Sequence, residues 1–284
     1  MHQRLINLFD RYTHGGMSRR DFLDRLAILA GGTVAASAVL PLLENNYARA
    51  ETVAETDPRI AAQTVEIPGV ANLKGYLVKP KAGDRHPAVV VIHENRGLNP
   101  HIKDVARRLG VEGYLALAVD LLSPIGGTPE DADKAASMIA NLKAEDVLAD
   151  TRVAVAFLKA RPDCTGKVGM VGFCWGGGHA NALAVSEPGL SAGVVYYGLQ
   201  PPADKVPGIR APLLLHSAGL DERINAGIPA YEAALKAAGK TYEIYIYPGV
   251  NHAFNNDTNA ARYNKEAADL AWSRTLAFLR KYLA

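Results

Sequence analysis

Residues 172–177 read GFCWGG, and they follow the apolar run KVGMVGF at 167–173. The apolar run predicts a buried strand, and the glycines after it predict a sharp turn into a helix. Glycines on both sides of Cys174 let the chain pass close to itself without Cβ clashes. The turn would place the thiol at a helix N-terminus, where the helix dipole favours a thiolate. The pattern therefore predicts a cysteine nucleophile; the alternative is a buried structural cysteine beside a glycine-rich turn.

Further strands and helices alternate on both sides of this turn. Apolar runs predict strands at 87–93, 114–119, 192–197, 212–217 and 242–247. Helical patterns lie between most of them, at 99–109, 129–159 and 226–238, and an amphipathic helix ends the chain. Two alternating segments around Pro68-Gly69 predict an N-terminal hairpin. This order is typical of an α/β fold with a mostly parallel sheet flanked by helices on both faces. No long linker interrupts residues 51–284, so we expect a single domain there.

The composition is that of a soluble globular protein with a sizeable core, since 49% of residues are apolar and 21% are charged. The chain has 31 basic and 29 acidic residues, and the first fifty hold six and four of them. The remaining 234 residues are therefore electrically balanced. Nothing in this charge pattern indicates a nucleic acid or an anionic membrane as a partner.

The first fifty residues have the features of an export signal. SRRDFL at 18–23 resembles the twin-arginine motif, an uncharged stretch follows at 26–43, and Ala48-Arg49-Ala50 forms a small-x-small cleavage site. We expect residues 1–50 to be a cleaved signal, the twin-arginine translocase to be a partner, and the mature chain to start at Glu51 in the periplasm or outside the cell. A retained anchor or an ordinary helix are the alternatives, but glycine, serine and proline make the stretch weakly apolar for an anchor.

The two cysteines, Cys164 and Cys174, are expected to be unpaired. The strand predicted at 167–173 lies between them and would hold them about 20 Å apart. A disulfide needs Cα atoms within about 7 Å of each other. Cys174 is therefore predicted to be a free thiol.

Two residues downstream fit the partners of a nucleophile on this fold, which follow in the order nucleophile, acid, histidine. Asp221 and His252 each come just after an apolar strand. The carboxyl ends of parallel strands meet at one edge of a sheet, so both can reach Cys174. The alternatives are a turn role for His252 and a helix-capping role for Asp221, and Glu222 is a rival for the acid.

Residues 93–97, HENRG, end the first buried strand, in the position that supplies one oxyanion-hole donor on this fold. We expect the backbone N–H groups of Asn95 and Trp175 to form that hole. Arg96 is a candidate for binding a substrate carboxylate, and Phe254 is a second candidate substrate-binding residue. The scattered histidines and cysteines predict no metal site, and no organic cofactor is expected because the dinucleotide fingerprint is missing.

Four segments together resemble the dienelactone hydrolase family of α/β-hydrolases: HENRG at 93–97, GFCWGG at 172–177, AGLDERI at 218–224 and YPGVNHAF at 247–254. The resemblance implies a Cys-His-Asp triad that hydrolyses a small ester or lactone through a thioester. It also implies that Glu94 approaches the resting thiol; an ion pair with Arg96 is the alternative. The chain departs from the family where arginines bind a substrate carboxylate, because 121–151 contains no arginine and none follows His252 before Arg262.

Other functions stay open at this point. A general carboxylesterase or thioesterase would use the same three residues. An exported binding protein could keep the same turn without catalysis. A thiol-redox role would need a resolving cysteine, and Cys164 is predicted to lie too far from Cys174.

Overall fold

The computed structural model describes residues 1–47 and 51–284, and its centre is one eight-stranded sheet. The strands are β1 (Ile60–Glu66), β2 (Lys74–Pro80), β3 (His86–Ile92), β4 (Leu115–Asp120), β5 (Cys164–Phe173), β6 (Ala192–Tyr196), β7 (Leu213–Ala218) and β8 (Tyr242–Tyr247). They lie in the order β1-β2-β4-β3-β5-β6-β7-β8. Strand β2 pairs antiparallel with β1 and β4, and all other neighbours are parallel. The predicted hairpin and mostly parallel sheet are confirmed.

Three helices precede the sheet, and helices from the rest of the chain cover both of its faces. They are α1 (Gln3–Thr13), α2 (Arg19–Ala30), α3 (Thr33–Leu43), α4 (Pro100–Val111), α5 (Ala132–Ala140), α6 (Ala144–Ala160), α7 (Trp175–Ser186), α8 (Glu222–Asn225), α9 (Ile228–Ala237) and α10 (Lys265–Leu283), with short 3-10 helices at Ser123–Ile125 and Ala203–Gly208. Apolar side chains of α4 and α10 form one buried layer against the sheet. Those of α6, α7 and α9 form the other layer. The central strands β3 to β7 are thus buried on both faces, as their continuous apolar runs predict, whereas the edge strands β1 and β8 are partly exposed.

The first three helices form a compact unit, which we call the N-terminal cap (α1–α3). Its own core includes Phe9, Phe22, Leu26 and Leu43, and Ala261 of the sheet domain packs against it. Several bonds connect the cap to the sheet domain. They join Asn95 Nδ2 to Thr13 O (2.5 Å), Asn259 Nδ2 to Leu43 O (2.6 Å), Arg19 to Asp133 (3.0 Å) and Arg262 to Asp10 (3.5 Å). The segment predicted to be an export signal is therefore folded onto the domain.

Among the described residues, no single helix has both the length and the apolar character to cross a bilayer. Two consecutive helices are long and apolar enough only when they are counted as one, and the chain bends by 112° between them: Arg19–Ala30 and Thr33–Leu43. The bend lies at Gly31 and Gly32, and Gly31 ends α2 in the left-handed conformation. The predicted cleavage site, Ala48-Arg49-Ala50, lies outside the described residues.

The two cysteines lie at opposite ends of one strand. Cys164 is the first residue of β5, and Cys174 follows the last residue of the strand. Both are buried, free thiols. The prediction of an unpaired Cys174 is confirmed.

Candidate active site

Cys174 occupies a strained turn between β5 and α7. Its backbone has φ 53° and ψ −115°, a conformation that costs a non-glycine residue about 1–3 kcal/mol. The turn closes only because its neighbours are glycines. A Cβ on Gly172 would lie 2.3 Å from the carbonyl oxygen of Gly176, and one on Gly176 would lie 2.3 Å from that of His93. The predicted sharp turn is confirmed, and it lifts the thiol to the carboxyl edge of the sheet.

His252 lies at the same edge, in the loop after β8. Its Nδ1 donates to Oδ2 of Asp221 at 2.5 Å, and both side chains are almost completely buried. Asp221 also accepts a hydrogen bond from the backbone N–H of Ile224 at 3.2 Å and so caps α8. The rival acid, Glu222, is exposed. Asp221 therefore both caps the helix and orients His252.

A second imidazole reaches the thiol from the N-terminal cap. Nε2 of His14 lies 3.3 Å from Sγ of Cys174, and the His14 and His252 rings are 4.6 Å apart between centroids. The thiol sulfur and one nitrogen from each ring all lie within 4.8 Å of one another. The sequence predicts no metal site because its histidines and cysteines are scattered, but α1 brings residue 14 beside residues 174 and 252, so three side chains that can bind a metal lie together.

The two imidazoles change the acidity of the thiol. Burial opposes ionisation of Cys174, but attraction to His252 and then to His14 lowers its pKa to about 6. Burial likewise opposes protonation of His252, but the Cys174 thiolate and the Asp221 carboxylate raise its pKa to about 10. A thiolate facing an imidazolium is therefore the favoured state at neutral pH.

The loop after β3 and the first residue of α7 flank the sulfur. Asn95 and Trp175 line cavities that reach Cys174. Among the loop and turn hydrogen bonds of the described chain, neither backbone N–H serves as a donor. Both amides are thus available to a ligand, as an oxyanion hole requires. The Asn95 side chain has a different task, since it holds the carbonyl of Thr13 in the cap.

Glu94 is buried near the thiol, but its hydrogen bonds go elsewhere. Its carboxylate accepts from Asn256 Nδ2 at 2.8 Å and from Tyr197 Oη at 3.5 Å. No hydrogen bond of the described residues joins it to Cys174, and Arg96 pairs with another acid. The resemblance implies that Glu94 approaches the thiol, but in this conformation no hydrogen bond joins the two. The alternative, an ion pair between Glu94 and Arg96, is wrong.

Of the two predicted substrate-binding residues, Arg96 lines the cavities at the thiol and Phe254 does not. Arg96 lines both cavities at the thiol, but its guanidinium already donates to Asp133 at 2.8 Å and to the carbonyl of Ala132. Asp133 also pairs with Arg19. Phe254 is fully buried and packs against Tyr197 at 5.6 Å between ring centroids. Phe254 lines neither cavity, so its predicted role is wrong: the backbone turn after His252 directs the ring into the core.

Two cavities meet at Cys174. A polar one of about 290 Å³ lies under the cap and is lined by charged side chains that include Glu94 and Arg262. A larger one of about 1080 Å³ extends over α7. Apolar side chains line much of the larger cavity, among them Met17, Ile139, Leu148, Trp175 and Leu199. The site therefore offers a substrate a small charged pocket and a large apolar one.

The sequence did not identify two residues at this site. His14 lies in the segment that the sequence predicts to be an export signal, and no neighbouring residue in the sequence indicates that it contacts residue 174. Arg262 follows His252 by ten residues, and its buried Nε has no hydrogen-bond partner in the described structure. Its guanidinium lies 5.2 Å from the Phe9 ring centroid of the cap. The sequence shows that Arg262 follows His252, but it does not show that the loop between them brings Arg262 back to the site.

A family model described as the dienelactone hydrolase family matches residues 73–283. The chain belongs to the dienelactone hydrolase family. It is therefore a hydrolase built on the α/β-hydrolase fold that the sheet order shows. A second model, described as YqhI-like, matches residues 1–32, within the N-terminal cap.

Relatives and solved structures agree with this membership. A Methylorubrum extorquens protein, provisionally named a carboxymethylenebutenolidase, is 34% identical over 252 residues, which cover 82% of this chain and 86% of that protein. The crystal structure of a provisionally assigned dienelactone hydrolase from Klebsiella pneumoniae has 32% identity and a TM-score of 0.71, and covers 78% of this chain and 99% of that one. The dienelactone hydrolase from Anabaena variabilis, 24% identical with a TM-score of 0.62, covers 80% and 99% and supports the fold alone.

Proposed function

We propose that this family member hydrolyses an ester or lactone with Cys174 as nucleophile, His252 as acid and base, and Asp221 as the residue that orients the histidine. One observation carries the proposal: the His252 ring hydrogen-bonds Asp221 through Nδ1, while a nitrogen of the same ring lies within 4.8 Å of the sulfur. An acid, a histidine and a nucleophile in this sequence of contacts form the arrangement that activates a weak nucleophile.

The reaction would proceed in two halves. The Cys174 thiolate attacks the carbonyl carbon, and the amides of Asn95 and Trp175 stabilise the resulting oxyanion. The C–O bond breaks, the leaving oxygen takes a proton from the His252 imidazolium, and the acyl group stays on sulfur as a thioester. Neutral His252 then removes a proton from water, whose oxygen attacks the thioester. The acid leaves, and the thiolate–imidazolium pair is restored.

The cavities favour a general carboxylesterase or thioesterase as the second candidate. A relative carries the provisional name carboxymethylenebutenolidase, and the family resemblance implies a small lactone with a carboxylate that arginines bind. In this chain Arg96 is paired with Asp133, and the larger cavity at the thiol is mostly apolar. An apolar acyl group of an ester fits that cavity better than a charged lactone does.

A panel of short and medium acyl esters, thioesters and unsaturated lactones would test the proposal with the purified full chain. We expect Cys174→Ala to abolish turnover while Cys164→Ala, which removes the other buried thiol at the far end of β5, keeps it. Mass spectrometry of Cys174 during turnover should show the acyl adduct. Unchanged turnover in Cys174→Ala would refute the mechanism, and hydrolysis of none of the panel would favour the non-catalytic binding protein.

Export by the twin-arginine route to the periplasm stays a prediction from the SRRDFL motif at 18–23. Cleavage before Glu51 would remove His14 and the rest of the cap from the active site. Sequencing the N-terminus of the protein from the periplasmic and cytoplasmic fractions tests this. A start at Glu51 in the periplasm would support export with cleavage, and full-length chain confined to the cytoplasm would refute export.

A further inference from the structure

We propose that His14, Cys174 and His252 form a binding site for a thiophilic divalent cation, with Zn²⁺ as the best match, and that the cation blocks the nucleophile. The three donor atoms lie within 4.8 Å of one another and are an imidazole of the cap, a thiol and a second imidazole. Zinc binds this combination of nitrogen and sulfur ligands, and three protein ligands leave a fourth position open. The inference is independent of the substrate and goes beyond the proposed hydrolysis.

The tautomers of both histidines leave the correct nitrogens available. Nδ1 of His14 lies 2.8 Å from the carbonyl oxygen of Asp10, and Nδ1 of His252 lies 2.5 Å from the Asp221 carboxylate. Both partners only accept hydrogen bonds, so each Nδ1 carries the proton and each Nε2 has a lone pair when the ring is neutral. Histidines that bind metals have this pattern, with one nitrogen on the ion and the other donating to a carboxylate or backbone carbonyl.

Cys174 and His252 share one acidic proton, and a divalent cation would take its place between the sulfur and the nitrogen. Nε2 of His14 contacts the sulfur at 3.3 Å, whereas the buried Nε2 of His252 has no hydrogen-bond partner among the described residues. His252 is only 4% exposed, so solvent does not readily supply one. A single cation would bond to the sulfur and both nitrogens at once.

The distances require only a small adjustment. In tetrahedral zinc geometry the sulfur and nitrogen ligands lie about 3.5 Å apart, and two nitrogens lie about 3.3 Å apart. The separation between His14 and Cys174 is already 3.3 Å, and the largest of the three is at most 4.8 Å. Closing up to about 1.5 Å needs a rotation of the His14 and His252 side chains. The adjoining cavity of about 290 Å³ has room for water as the fourth ligand.

Binding has a definite proton balance and consequence. The proton that Cys174 and His252 share is released to the solvent, and the sulfur and the two Nε2 atoms donate electron pairs to the ion, with no change of oxidation state. A sulfur held on the cation no longer attacks a carbonyl carbon. Because His14 directly follows α1, the same ion would also attach the cap to the sheet domain.

The test uses the full chain, stripped of metal, with Zn²⁺ in equilibrium dialysis against a competing chromophoric chelator. We expect one equivalent to bind to the wild type, and at least about tenfold weaker binding in His14→Ala and in Cys174→Ser. His2→Ala, which removes another histidine of the cap, should bind as the wild type does. Co²⁺ in place of Zn²⁺ should give a sulfur-to-cobalt charge-transfer band that Cys174→Ser lacks.

His14→Gln provides a second variant should His14→Ala disturb the cap, and far-ultraviolet circular dichroism shows which of the two folds. No stoichiometric Zn²⁺ in the wild type, or unchanged affinity in a folded His14 variant, would overturn the site. Hydrolysis that Zn²⁺ leaves unaffected at saturation would overturn the inhibition alone. Dialysis and the cobalt spectrum need no substrate, so a failure of the proposed hydrolysis is seen separately.

Discussion

Asp221 makes two hydrogen bonds at once, one to Nδ1 of His252 at 2.5 Å and one to the backbone N–H of Ile224 at 3.2 Å. The first orients the imidazole and the second caps α8. A single carboxylate therefore links the stability of a short helix to the position of the base in the proposed reaction. The two tasks can be separated by substitution, because an amide still accepts from a backbone N–H but does not stabilise an imidazolium.

Asp221→Asn is therefore expected to keep the fold and lose activity. An Asn side chain caps a helix about as well as Asp, so the free energy of unfolding should change by less than about 0.5 kcal/mol. By analogy with triads in which the acid was replaced, kcat should fall by about 10⁴-fold. Steady-state kinetics and urea unfolding measure the two effects. Glu222→Gln, beside it but exposed, is the matched control, and equal losses in both variants would contradict the assignment.

The pH dependence of thiol alkylation should reveal the ionised sulfur. With a pKa of about 6, Cys174 is a thiolate above that pH and a thiol below it, so the rate with iodoacetamide should fall as the pH drops through 6. His14→Ala removes one of the groups that favour the thiolate, so the midpoint should move up by about one unit or more. A Cys164→Ala background restricts the signal to one thiol. A midpoint near 9 in the wild type would refute the thiolate.

The sequence predicted strand bounds well where one continuous run of strand-forming residues covers the whole strand. Strand β8 has the predicted bounds, 242–247, whereas β5 begins at Cys164, three residues before the predicted start. Of the three extra residues only Cys164 is buried, so the continuous apolar run that predicts the strand does not reach them.

The sequence predicts a site residue only where the residues around it in the chain indicate its position in the fold. Cys174, Asp221 and His252 each follow a strand, and parallel strands bring such positions to one edge. His14 has no such sequence context, because its contact with a residue 160 positions away depends on how α1 packs. Phe254 follows the catalytic-loop histidine in sequence, but Ala253 before it has φ 62° and the Phe254 ring enters the core, which the sequence does not indicate.

Two glycines of the turn offer a test of its packing. A Cβ on Gly176 would lie 2.3 Å and 2.5 Å from the carbonyl oxygens of His93 and Ile92, both rigid backbone atoms. We expect Gly176→Ala to lower the free energy of unfolding by about 3 kcal/mol. Gly178→Ala, two residues on in the same helix, meets its nearest atoms at an ordinary 3.6 Å and should be neutral or gain about 0.5–1 kcal/mol. Urea denaturation measures both, and equal stability of the two variants would contradict the close contact.

His216 gives the fold a sensitivity to acid that lies outside the active site. Its ring is fully buried, between the hydroxyls of Thr275 (3.1 Å) and Tyr247 (2.9 Å), and burial together with the charge of Arg274 lowers its pKa to about 3. Since the unfolded chain binds this proton near pH 6.5 and the folded chain does not, stability should fall as the pH drops below 6.5. This one group should account for about 2 kcal/mol between pH 7 and pH 5. His216→Gln keeps hydrogen-bonding atoms but does not titrate, so its urea midpoint should depend less on pH than that of the wild type. Parallel pH curves for the two proteins would show that His216 is protonated in the native state or is exposed to solvent.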